Sequence, residues 1–156
     1  MSGTGIGPGA GKDDRPGLIL RLDIANDIGD LCRAMESVDG FLEGQEVEGE
    51  AAFTVRLAVE EIVTNIIKYA YDDTGAHGIS LEIRLAPGRV VIQVADDGRE
   101  FDPLAASAPN LDLSLEEKEV GGVGIHLVRT MAESLEYARV GGKNVLTAAI
   151  RRKPRQ

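Results

Sequence analysis

The chain has 156 residues, 43% hydrophobic and 28% charged, which excludes the low-hydropathy, high-charge composition of a disordered protein and predicts one aliphatic core with few aromatics. Its formal net charge of -9 repels polyanions, and the only basic run is the short tail Arg151, Arg152, Lys153 and Arg155, so neither nucleic acid nor an anionic membrane is an expected partner. A lone Cys32 excludes an intrachain disulfide, and the absence of an 18-residue apolar run or a signal-peptide core makes cytoplasmic localisation the expectation.

Residues 1–17, rich in Gly, predict a flexible leader. GPGAGK at 7–12 has the ending of a phosphate loop but lacks its spacing, a following Ser or Thr and a preceding strand, so it belongs to that leader. A first strand follows, with Leu18, Leu20 and Leu22 alternating against Ile19, Arg21 and Asp23. Ile28, Leu31, Met35, Val38 and Leu42 then predict a helix over 27–42, capped by Asp27. Cys32 in this helix is expected to be buried, as free cysteines commonly are.

A long helix is predicted over 48–71 from Phe53, Leu57, Val59, Ile62, Ile66 and Ala70. DDTGAHG at 72–78 ends it, and strands at 79–85 and 89–95 form a hairpin through Pro87 and Gly88. The stretch from 98 to 123, with its prolines and acidic run, is long for a plain connection and reads as a lid over about 102–123. A helix over 124–135 and strands at 134–140 and 144–151, joined by Gly141 and Gly142, complete a domain spanning 18–151, with 152–156 as a basic tail. The order predicts an α+β fold: a two-layer α/β sandwich whose mixed, mostly antiparallel sheet carries its helices on one face. Short polar tails at both ends read as those of a complete domain.

Three segments carry the chemistry. In the second helix Glu61, Asn65 and Lys68 fall at four- and three-residue spacings along one stripe, and an Asn flanked by Ile66 and Ile67 is costly to bury without partners. Its amide oxygen suits a hard cation and Glu61 suits proton transfer, although a solvated polar pair has the same spacing. Asp96 ends an apolar strand, where a carboxylate can accept from a heterocycle amine, and Gly98 allows close backbone approach; an ordinary strand-end turn reads the same. Gly121, Gly122, Val123 and Gly124 precede a helix, so their N–H groups can face a phosphate, or form a simple joint.

Taken together and in this order, EIVTN at 61–65, DDG at 96–98, GGVG at 121–124 and Thr147 in the last strand make the chain resemble the ATP-binding fold shared by gyrase, heat-shock chaperone, mismatch-repair and histidine-kinase ATPases. Over about 20–150 it is most similar to the small bacterial anti-sigma factor serine/threonine kinases. The resemblance implies ATP and Mg²⁺ as cofactors, with Asn65 holding the metal and Glu61 as the catalytic base. It further implies Asp96 on the adenine amine with Thr147 assisting through water, Gly98 and the 121–124 backbone around the nucleotide, and Lys68 and Tyr69 as secondary ligands. Its implied partners are an anti-sigma-antagonist protein, as phosphoacceptor, and a sigma factor held by sequestration; a homodimer is also implied. Two departures stand out: Glu100 occupies the usual last glycine of the Asp-x-Gly-x-Gly pattern, and the lid is acidic, with Lys118 its only cation between 102 and 120. They keep open a second reading, a nucleotide-dependent protein-binding module without efficient phosphoryl transfer.

Overall fold

The computed structural model describes residues 18–105 and 122–153. Its elements run β1 (Ile19–Ala25), α1 (Ile28–Gly44), α2 (Gly49–Tyr69), β2 (Gly78–Ala86), β3 (Arg89–Asp96), α3 (Gly122–Met131), β4 (Ser134–Val140) and β5 (Lys143–Arg151). The strands form one five-stranded sheet in the order β1-β2-β3-β5-β4, and all four neighbouring pairs are antiparallel. The architecture is the expected α+β sandwich, with a sheet more uniformly antiparallel than the sequence pattern requires.

Alternation within the strands explains why helices cover one face. Ile79, Leu81, Ile83 and Leu85 of β2, Val90, Ile92 and Val94 of β3, and Leu146, Ala148 and Ile150 of β5 are all buried at every second position. They meet Leu31, Ala34, Val38 and Leu42 of α1, Val55, Ala58, Val59, Ile62 and Val63 of α2, and Ile125 and Val128 of α3. Each helix thus presents a stripe at three- and four-residue spacing to the same sheet face. Asp27 caps α1 as expected, its Oδ1 accepting from the Gly29 N–H at 2.8 Å. Cys32 lies on the opposite side of that helix and is exposed, correcting the expectation of burial. It follows Leu31 by one position, about 100° around the helix from the buried stripe.

The turn between β4 and β5 fixes where the last strand goes. Gly141 and Gly142 have φ of 56° and 78°, the paired left-handed conformation of a tight hairpin turn whose twist matches its strands. The hairpin folds β5 back between β4 and β3, pairing Asn144 directly with Asp96. The third helix begins at Gly122 and ends at Met131, earlier at both ends than the predicted 124–135, because Ser134 and Leu135 are taken by β4.

Candidate functional site

One end of the sheet, where β3 stops and β5 starts, opens into a cleft of about 450 Å³, including its mouth. The α2 residues on its wall, Ile62, Asn65, Ile66 and Tyr69, recur at three- and four-residue intervals and so form one stripe. Val94, Ile125 and Leu146 add apolar surface, Phe101 and Tyr137 add aromatic surface, and Asp96 and Asn144 are the polar groups at the sheet end.

Asp96 is only 4% exposed. Its Oδ1 accepts from the Gly98 N–H at 2.9 Å and from Asn144 Nδ2 at 3.0 Å. Gly98 is buried because the strand-end loop presses on the C-terminus of α2. A Cβ at position 98 would stand 2.5 Å from the Ala70 carbonyl oxygen and 2.6 Å from the Ala70 Cβ, and the Arg99 N–H donates to that same carbonyl at 2.9 Å. Through this contact the two motifs, 61–65 and 96–98, come together although a hairpin separates them in sequence. Glu100 is exposed and its φ is not positive, so the side chain at the usual glycine position fits without backbone strain.

One turn before Asn65 on α2, Glu61 is half-buried and its carboxyl lies against Gly124, where a Cβ would overlap it. Partial burial raises the Glu61 pKa above the ordinary glutamate value, and the charge of Glu60 adds to this while Lys68 opposes it. Lys68 itself is exposed in the last turn of α2, and Tyr69 is half-buried. Gly122 begins α3, Val123 is 41% exposed beside it, and Gly124 follows in the same turn. Gly121 and the expected lid from 106 onward lie outside the described residues.

Thr147 does not reach this cleft. It pairs with Gln93 and Glu136, three positions along β5 from Asn144, and strict alternation puts it on the sheet face away from the helices. The side chain that does meet Asp96 from β5 is Asn144, which sequence reasoning missed. A signal was present: Asn144 falls in phase with the inward set Leu146, Ala148 and Ile150, a polar residue at an apolar position. Tyr137 and Arg139 of β4 were missed too, and both donate to the Asn144 Oδ1, at 2.6 and 3.1 Å. Arg129 of α3 donates to the Leu104 carbonyl at 3.5 Å.

These residues fit a magnesium nucleotide. The cleft has apolar walls suited to a base and a buried acceptor at one end. Asn65 offers a hard amide oxygen on the wall, and among the described residues there is no cluster of three His, Cys, Asp or Glu side chains that could hold a metal. One hard oxygen donor is compatible with a cation that completes its shell with a nucleotide's phosphate oxygens and water.

The sequence matches the histidine kinase-like ATPase domain over residues 24–150. It is 35% identical over 95 residues to the serine/threonine-protein kinase BtrW of Bordetella bronchiseptica, covering 61% of this chain and 67% of that protein. It is 34% identical over 97 residues to the serine-protein kinase RsbW of Halalkalibacterium halodurans, covering 56% of each. With an anti-sigma F factor of Clostridium botulinum it shares 28% identity over 81 residues, 52% of this chain and 57% of that one. The matches thus span roughly half to two thirds of these relatives' lengths. Among solved structures, the RsbU and RsbW domains of a Mycobacterium tuberculosis protein superpose with a TM-score of 0.59 at 17% identity, over 85% of this chain and 32% of that one, a likeness of fold.

Proposed function

Because the chain belongs to the histidine kinase-like ATPase domain family, we propose that its cleft binds ATP and that it is a serine/threonine protein kinase of the anti-sigma factor type. Its phosphoacceptor would be a small anti-sigma-antagonist protein, and its output the sequestration and release of a sigma factor. The partial matches to kinases and anti-sigma factors support the regulatory class. The observation that supports this reading is that Asp96 and the Asn65 stripe line one cleft, while the Glu61–Gly124 contact lies one helical turn from Asn65.

In this reading the buried Asp96 accepts from the exocyclic amine of the purine, and the apolar walls hold the ring and exclude water. Asn65 would hold a magnesium ion through its amide oxygen, and that ion would supply charge neutralisation for the phosphates. Backbone N–H groups of Gly122, Val123 and Gly124 in the first turn of α3 are the donors offered to those phosphates, with Lys68 and Tyr69 as secondary contacts. Glu61, its proton affinity raised by burial, accepts the proton of a partner's Ser or Thr hydroxyl as that oxygen bonds to the γ-phosphorus, and ADP leaves. Among the described residues no helix is long and apolar enough to cross a membrane, and the partners are proteins.

Incubating the chain with MgATP and candidate antagonists, then weighing the intact partners, tests this directly: transfer adds one phosphate to a partner. Glu61→Gln is expected to keep nucleotide affinity while slowing transfer on the order of 10²-fold. Nucleotide-dependent partner capture with no added mass on any partner would instead favour the regulatory binding module.

A further inference from the structure

The hydrogen bonds around Asn144 define its orientation and, through it, what Asp96 can recognise. The side chain is 7% exposed and every polar atom of its carboxamide is engaged. Its Oδ1 accepts from the Tyr137 hydroxyl at 2.6 Å, from Arg139 Nη1 at 3.1 Å and from the Phe101 N–H at 3.3 Å. Its Nδ2 donates to the Arg99 carbonyl at 2.7 Å and to Asp96 Oδ1 at 3.0 Å. The flipped carboxamide would set its NH₂ against two obligatory donors, Arg139 and the Phe101 N–H, and its oxygen against two acceptors, so the network favours one orientation.

The consequence falls on Asp96. Each carboxylate oxygen has about two acceptor sites, and Oδ1 uses both, one for the Gly98 N–H and one for Asn144. Oδ2 is the oxygen left for a ligand in the cleft. Adenine presents one exocyclic amine beside a ring acceptor, which a single oxygen satisfies. Guanine presents two adjacent donors, a ring N–H and an exocyclic amine, which pair best with both oxygens of a carboxylate. A carboxylate with one oxygen filled therefore suits the first base and disfavours the second.

We propose that Asn144 is the specificity-determining positioning residue of the site: by filling Asp96 Oδ1 it makes Asp96 a one-oxygen acceptor and selects adenine over guanine nucleotides. Tyr137 and Arg139 act behind it by holding the carboxamide the right way round, and Arg139 also pins the loop by donating to the Gly98 carbonyl at 2.9 Å. The inference rests on the nucleotide reading of the cleft and goes beyond it in naming what discriminates between bases.

The test is titration of the wild-type chain, Asn144→Ala and Asn144→Val with MgATP and with MgGTP, reporting the ratio of the two affinities. Wild type is expected to prefer ATP. Both variants are expected to shrink that preference about tenfold or more, the scale of one hydrogen bond to a charged group, chiefly through improved GTP binding as Oδ1 is freed. General damage to the fold would lower both affinities together, so the ratio separates a specificity role from a structural one. If Asn144→Ala melts below the assay temperature, Asn144→Val decides alone, since its volume is nearer to native and its branched side chain suits a strand. An unchanged ATP:GTP ratio in a folded variant overturns the assignment while leaving the nucleotide site in place. A wild-type chain that binds neither nucleotide overturns both.

Discussion

Glu61 must be deprotonated to accept a proton, so its environment sets the acid limb of any transfer it serves. Burial disfavours the carboxylate, Glu60 disfavours it further and Lys68 favours it, so the folded pKa stands above the ordinary 4.5. The expected rate profile rises with pH through a midpoint higher than 4.5. Lys68→Gln should move that midpoint up, Glu60→Gln should move it down, and Glu61→Gln should remove the limb. Measured transfer rates across the acid range decide this, and a limb that persists in Glu61→Gln would assign the titration to another group. The two close-packed glycines separate at the same scale. At position 98 an added Cβ meets the carbonyl oxygen and Cβ of Ala70, atoms fixed by the helix end, so Gly98→Ala should cost about 1–3 kcal/mol of stability, read as a lower melting temperature. At 124 the nearest atoms it meets belong to the movable end of Glu61, so a side chain there is accommodated only by displacing that carboxyl, and alanine improves helix propensity by about 1 kcal/mol. Gly124→Ala should therefore melt no lower than wild type yet lose transfer, because Glu61 is displaced.

The first helix shows how far a local signal reaches. Asp27 satisfies the Gly29 N–H, so Asp27→Ala should cost about 1 kcal/mol, a fall in melting temperature of roughly 3 °C for a domain of this size. Beside it Asp30 Oδ2 accepts from the Ala25 N–H at 2.6 Å and Oδ1 pairs with Arg33, and both bonds lower the Asp30 pKa below 3.8. The sign follows: this stabilisation is full above 3.8 and is lost as pH falls through the lowered folded value, so Asp30→Asn should flatten the most acidic part of an acid-unfolding curve. Caps, amphipathic stripes and tight hairpins are decided within a few residues, which is why α1, α2 and both hairpins were legible from sequence. The start of α3 was not. Gly122 and Gly124 weaken a helix locally, and the pattern alone places them before it; at 124 the carboxyl of Glu61, 63 positions away, occupies the space a side chain would fill inside the first turn. Asn144 was hidden for a similar reason. Its partner Asp96 is set by strand register across the lid, and Thr147, nearer in type to an expected water-binding residue, lies on the wrong face by an odd number of positions.

At the scale of the molecule, the cleft draws its lining from elements that share one hydrophobic core. Its lining comes from α2, the ends of β3 and β5, and the start of α3, and the direct tie between α2 and the strand-end loop is the Arg99 N–H to Ala70 carbonyl bond. A ligand bound across these elements stabilises only the folded chain, by an amount set by its concentration relative to Kd. At about 100 times Kd that is about 2.7 kcal/mol, or a rise in melting temperature of roughly 5–10 °C for a domain of this length. With a chain of net charge -9, free ATP meets a repulsive field, and the favourable local terms are the metal and the aimed N–H groups. Most of the rise should therefore require magnesium: MgATP should shift the melt strongly, ATP with a chelator weakly, and Asn65→Ala should lose the magnesium-dependent part while retaining the weak one. Equal shifts with and without magnesium in the wild type would remove the metal from Asn65, and no shift under any condition would remove the nucleotide from the cleft.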